Sequence, residues 1–215
     1  MSKRILVISP HADDEVLGCG GYLASQRDQG SEIHIAYATI GNSEKSPKEQ
    51  ERIQEALQVC KRLHASHQIL LENRDGELDM VPMRFFVSCY DAIFDSFRPD
   101  EVFVNYPSWH QDHKKVYDSA MAALRFRQGF MPRFVALYEY PFILNQNIHV
   151  SGGLWYHDIT DSLDEKIDLF KFYRSQIKSS PSPLNPDGIR QLAMVRGTES
   201  GVRYAELFYL QKMIQ

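Results

Sequence analysis

Two short runs of polar residues carry side chains suited to metal and acid–base chemistry. The first is Pro10-His11-Ala12-Asp13-Asp14-Glu15. The second is His110-Gln111-Asp112-His113, preceded by Tyr106-Pro107-Ser108-Trp109. In the first run His11 and Asp14 are three residues apart, so across a turn both can reach one ion. An imidazole nitrogen with a carboxylate oxygen suits zinc or another divalent metal. Helix capping would account for Asp13 or Asp14. It does not account for a histidine beside two adjacent carboxylates, which repel each other unless a cation is near. In the second run His113 can supply a third ligand. His110 and Asp112 then read as a histidine–carboxylate pair, the aspartate setting the tautomer and raising the basicity.

The elements that must position these runs follow from hydrophobic periodicity. Arg4–Ser9 reads as a buried strand ending at the first run, and Glu15–Gln29 as a helix stopped by Gly30. Glu32–Thr39 alternates as a strand, and Lys48–His64 has helical spacing. His67–Leu71 is a short strand, Met83–Phe97 a helix ended by Arg98-Pro99. Glu101–Asn105 is a strand ending at the second run, and His113–Phe126 a helix. This alternation predicts an α/β fold: a Rossmann-like, mostly parallel sheet with helices on both faces. Both runs fall at the carboxyl ends of strands, where open α/β sheets bind ligands. Phe134–Tyr140 and His149–Tyr156 read as strands with no helix between them. Asp164–Ile177 carries one apolar stripe, and Ser179–Pro186 is an irregular loop with three prolines. The last third is therefore expected to add an antiparallel and helical extension within a single domain over residues 1–215.

Composition removes several function classes. The 215 residues carry 24 Lys and Arg against 28 Asp and Glu, a net charge of −4. No basic excess is available to neutralise phosphates, so nucleic acid is not an expected partner. Apolar runs are too short for a membrane span, and the N-terminus lacks the apolar run of a signal peptide. Cys19, Cys60 and Cys89 are odd in number and show no CxxC spacing. That suits a reducing compartment, and a cytoplasmic location is expected. A homo-oligomer is compatible with this composition. Leu17-Gly18-Cys19-Gly20-Gly21 is not the G-x-G-x-x-G of a dinucleotide loop. Its glycines are expected to let the first helix approach the sheet.

Taken together, the two runs resemble the P-H-P-D-D-E and H-x-D-H motifs of the LmbE-like, or PIG-L-type, zinc-dependent N-acetylglucosamine deacetylases. Supporting matches are Arg52…Glu55, Asp75-Gly76, Lys166…Tyr173-Arg174-Ser175-Gln176 and Arg196-Gly197…Gly201…Tyr204-Ala205-Glu206…Phe208. The resemblance spans nearly the whole chain. It implies a zinc site formed by His11, Asp14 and His113, with Asp13 as general base. His110 would assist at the transition state and Asp112 would support it. The implied reaction removes the acetyl group from an N-acetylglucosamine-type amino sugar or its conjugate. An amidase acting on another N-acyl amide or a thiol-sugar conjugate is the alternative. Two histidines and an aspartate also suit Fe2+. Ala12 stands where proline is usual in the family.

Substrate contacts are expected from the loop after the second strand, through Asn42 or Glu44, and from Trp109, which could stack on a sugar face. Tyr106 and Trp155 are further aromatic candidates, Ser108 a candidate near the oxyanion, and Arg84, Arg190 and Arg196 candidates for an anionic substituent. His157 could line the site. His34, His64, His67 and His149 lack carboxylate company and read as structural or exposed.

Overall fold

The computed structural model describes residues 2–40, 47–72, 74–142 and 151–215. Asn42, Glu44 and His149 lie outside the described residues. The strands are β1 (Arg4–Ser9), β2 (Glu32–Thr39), β3 (Ser66–Leu71), β4 (Glu101–Asn105), β5 (Phe134–Tyr138), β6 (Gly153–Asp158) and β7 (Ala205–Met213). The helices are α1 (Asp14–Asp28), α2 (Pro47–Leu63), α3 (Met83–Phe97), α4 (Gln111–Ala123), α5 (Leu163–Phe172) and α6 (Pro186–Ser200). The seven strands form one sheet in the order β3-β2-β1-β4-β5-β7-β6. β1 pairs in parallel with β2 and β4, β2 with β3, and β4 with β5. β7 runs antiparallel to both β5 and β6. The first five positions have Rossmann order, and the antiparallel edge is the predicted extension.

Strand side chains alternate between two cores. Ile5 and Val7 of β1 join one face, with Val16 and Leu23 of α1, Val59 of α2 and Phe170 of α5. Leu6 and Ile8 join the other face, with Phe86 and Tyr90 of α3 and Val116 of α4. A strand buried on both faces reads as a continuous apolar run, and for that reason Ile5-Leu6-Val7-Ile8 was legible as a central strand. The chain reverses its direction of travel across the sheet between β1 and β4. Ligands bind at such a switch point, and both polar runs start there.

α1 is not a regular helix. Its hydrogen bonding breaks at Cys19, at φ −138° and ψ 19°. The groups freed by the break find buried partners from the C-terminal third. Lys166 Nζ donates to the Leu17 carbonyl at 2.8 Å. Glu206 accepts from the Gly21 and Tyr22 amides, each at 2.8 Å. Lys166 and Glu206 pair at 2.6 Å with side-chain exposures of 6% and 2%. Here the glycines do allow close approach: a Cβ on Gly18 would lie 2.1 Å from the Tyr138 ring. The ion pair thus ties α5 and β7 to the helix that follows the first polar run.

Glu206→Ala is expected to lower stability by about 3–5 kcal/mol, because it strands a buried ammonium and two helix N–H groups. Urea unfolding measures this, and a loss under about 1 kcal/mol would contradict a stabilising role for the pair.

Candidate functional site

The end of β1 and the start of α1 bring His11, Asp13 and Asp14 into the switch point. All three are buried, at 6%, 6% and 4% exposure. The β4–α4 connection brings His110, and the first turn of α4 brings Asp112 and His113, to the same place. His11 Nδ1 and His113 Nε2 each lie 3.3 Å from Asp14 Oδ2. Two ligands bound at about 2.0–2.1 Å to a tetrahedral ion are separated by about 3.3–3.4 Å. The three atoms, all within 4.8 Å of one another, therefore fit one divalent ion. The residues read as ligands from their spacing thus converge.

Asp112 corrects one expectation. Its carboxylate does not hydrogen-bond to His110. Asp112 Oδ2 lies 2.9 Å from His11 Nε2 and accepts from the Gly76 amide at 2.6 Å, while Oδ1 accepts from the Leu78 amide at 2.9 Å. The first turn of α4 aims this side chain inward, at the turn that precedes α3. Asp112 therefore orients His11, leaving Nδ1 to face Asp14. His110 caps α4 instead, its Nδ1 accepting from the Asp112 amide at 3.2 Å. The backbone of Asp112, and not its carboxylate, sets the His110 tautomer: neutral His110 carries its proton on Nε2.

Two residues of the supporting matches complete the surroundings. Arg52 of α2 donates to the Ala12 carbonyl through Nε at 3.1 Å and Nη2 at 2.8 Å. Its guanidinium lies 3.4 Å from Asp13 Oδ1 and 3.7 Å from Asp75 Oδ2. Asp75 Oδ1 is 3.4 Å from His11 Nε2. Neither Arg52 nor Asp75 was marked by local spacing as part of the site; only the family pattern pointed to them. A second group of ligand-type side chains, His11, Asp75, His110 and Asp112, shares His11. Its 2.9 Å His11–Asp112 contact has hydrogen-bond length.

The other candidates divide. Trp109 is 69% exposed, beside His110. Ser108 is buried, and its Oγ accepts from the His110 amide at 3.2 Å. Tyr106 packs on Tyr209 with ring centroids 4.5 Å apart. Trp155, half-buried, packs on Phe208 at the edge of the core with ring centroids 4.8 Å apart. His157 sits edge-on to Tyr22, at the far end of the sheet beside Glu101, so it does not line the site. Arg196 pairs with Glu139 and Glu199, and Arg190 with Asp164. His34 bonds to Ser66 at 2.8 Å.

Burial opposes charge on His11, yet its carboxylate neighbours Asp112 and Asp14 outweigh burial and push its pKa up to about 10. Burial pushes Asp13 up to about 8; Arg52 opposes that shift, and Asp14 and Glu15 add to it. Burial would raise Asp14 too, but His113 and His11 hold it well below the usual range. Burial and its histidine neighbours lower His110. Without a metal, an imidazolium at His11 supplies the positive charge that these carboxylates require.

That charge has a pH signature. A folded pKa above the ordinary 6.5 stabilises fully below pH 6.5 and is lost as pH rises through about 10. Raised Asp13 acts with the same sign. The metal-free protein is expected to lose thermal stability over this window, and His11→Gln to lose less. Equal pH profiles for the two proteins would contradict a raised His11.

Known proteins share this architecture. Over 191 residues the chain is 26% identical to the probable N-acetyl-alpha-D-glucosaminyl L-malate deacetylase 2 of Bacillus subtilis, covering 82% of this chain and 84% of that protein. The N,N'-diacetylchitobiose deacetylase of Pyrococcus horikoshii superposes with a TM-score of 0.78 at 26% identity, covering 98% of this chain and 84% of that one. A 4-carboxy-2-hydroxymuconate hydratase from Pseudomonas putida superposes at 0.76 with 18% identity, covering 99% and 98% of the two chains; that is a likeness of fold. Residues 6–124, which contain both polar runs, match the PIG-L model of GlcNAc-PI de-N-acetylases, and the chain belongs to that family.

Proposed function

We propose that this chain is a metal-dependent N-deacetylase acting on an N-acetylglucosamine-type amino sugar or its conjugate. The observation that carries the reading is the triangle of His11 Nδ1, Asp14 Oδ2 and His113 Nε2, with 3.3 Å edges to Asp14, beside Asp13 and His110. Family membership and the deacetylase names of the relatives at 26% identity support it.

His11, Asp14 and His113 would hold the ion. Two imidazoles and a carboxylate suit zinc first, and also ferrous iron. When bound there, a divalent metal lowers the pKa of water and polarises an acyl oxygen. Asp13 is the general base, the acidic neighbour of a ligand that has no place in the triangle itself. It removes a proton from the attacking water and returns one to the leaving amine. His110 donates its Nε2 proton toward the developing oxyanion as a neutral imidazole, consistent with its lowered pKa. Asp112 holds the His11 ring. Trp109 offers an exposed aromatic face to a sugar ring.

The test is acetate release from a panel of N-acetylglucosamine conjugates by metal-loaded protein. Asp13→Asn should keep the metal and lose about 10²–10⁴-fold in kcat. Release of a different acid or amine, and no acetate, would move the assignment to another amidase; no amide hydrolysis at all would refute the proposal.

Metal content separates the roles of the second run. His113→Ala should lose the ion. Asp112→Asn should weaken metal affinity about 10–100-fold by loosening His11. His110→Ala should keep the metal and lose about 10²–10³-fold in kcat. Loss of the ion in His110→Ala, with retention in His113→Ala, would exchange the two histidines.

A further inference from the structure

Asp13 stands at φ 130° and ψ −31°, a backbone conformation that L side chains rarely adopt. Such a conformation persists only where its surroundings over-determine it. The peptide unit between Ala12 and Asp13 is held at both polar atoms. Arg52 takes the carbonyl, through two bonds of 3.1 and 2.8 Å. Glu15 takes the N–H, through Oε2 at 3.0 Å. The next peptide is anchored as well, because the Asp13 carbonyl accepts from the amides of Val16 and Leu17 at 3.0 and 2.9 Å.

Glu15 is completely buried. Its second oxygen, Oε1, accepts from the hydroxyls of Tyr173 and of Tyr37, the latter at 3.1 Å. Tyr37 comes from β2 and Tyr173 from the end of α5, so two distant segments converge on this carboxylate. None of its side-chain hydrogen bonds goes to the side chains of His11, Asp14 or His113. A buried carboxylate away from the ligand triangle needs a reason to be there, given the cost of burying it.

We infer that Glu15 is a positioning residue: clamped by Tyr173 and Tyr37, it fixes the strained Asp13 peptide and so aims the Asp13 carboxylate at the substrate. The inference rests on Asp13 being the general base. Glutamine at position 15 still offers an oxygen to the Asp13 amide and two N–H groups to hydroxyls that can accept them. Leucine offers nothing.

The experiment compares metal-loaded Glu15→Leu and Glu15→Gln. In Glu15→Leu, kcat is expected to fall about 10²-fold, the cost of a small misplacement of a reacting group. KM and metal content should stay unchanged. Glu15→Gln should recover most of the loss. Crystal structures should show Asp13 leaving the positive φ region in the leucine variant and keeping it in the glutamine variant. An unchanged kcat in Glu15→Leu would overturn the inference. So would a glutamine variant no better than leucine while Asp13 keeps its φ, or a loss explained wholly by missing metal. If Glu15→Leu does not fold, the Tyr37→Phe, Tyr173→Phe double variant asks the same question: lower kcat at constant KM supports the clamp, and unchanged kcat overturns it. If the wild type releases acetate from no compound, the proposed function fails, and the φ of Asp13 in the variants still decides the role of Glu15.

Discussion

Four buried carboxylates meet where β1 and β4 end: Asp13, Asp14, Glu15 and Asp112. Carboxylates this close and this dry cannot all ionise without positive charge between them. Arg52 supplies some of it from α2, and His11, wedged between Asp14 and Asp112, supplies more. The rest of the molecule can be understood as the means of holding this arrangement. The sheet reverses its order here, so two loops from opposite directions supply the two histidine-bearing runs. A divalent ion in the His11, Asp14, His113 triangle would do the same electrostatic work as the His11 proton, with more charge. Metal and proton therefore compete for one imidazole.

The supports around this cluster come from far along the chain. Tyr173, the residue after α5, reaches Glu15; Lys166 of α5 and Glu206 of β7 secure the break in α1. Ser175, in the turn after α5, donates to Glu55 on α2, the helix that also carries Arg52. Among the later sequence matches, Lys166, Tyr173 and Glu206 are thus structural partners of the helix that follows His11 and Asp13 and begins at Asp14. This explains why residues over a hundred positions away belong to the same pattern.

Local pattern sufficed where periodicity was clean. β1, β2, α3 and β4 have the bounds read from apolar spacing. α4 starts two residues earlier than its apolar stripe, because His110 caps it through a ring nitrogen, a role histidine rarely signals. α5 ends at Phe172, short of the expected Ile177, and a 3-10 turn follows. α6 matches no element read from spacing, and its glycines at 188 and 197 sit where other backbone packs: a Cβ on Gly188 would lie 2.3 Å from the Pro183 carbonyl. The break at Cys19 was illegible because it depends on Lys166 and Glu206. The true partner of Asp112 was hidden for a similar reason. Spacing suggested its neighbour His110, whereas the fold presents His11, 101 residues away.

The most direct test of this account is anomalous diffraction from crystals loaded with zinc. The account predicts one peak per chain, about 2.0–2.2 Å from His11 Nδ1, Asp14 Oδ2 and His113 Nε2, with His11 Nε2 still directed at Asp112. A peak between His11 Nε2, Asp75, His110 and Asp112 would contradict it, because Asp112 would then be a ligand, not the group that orients His11.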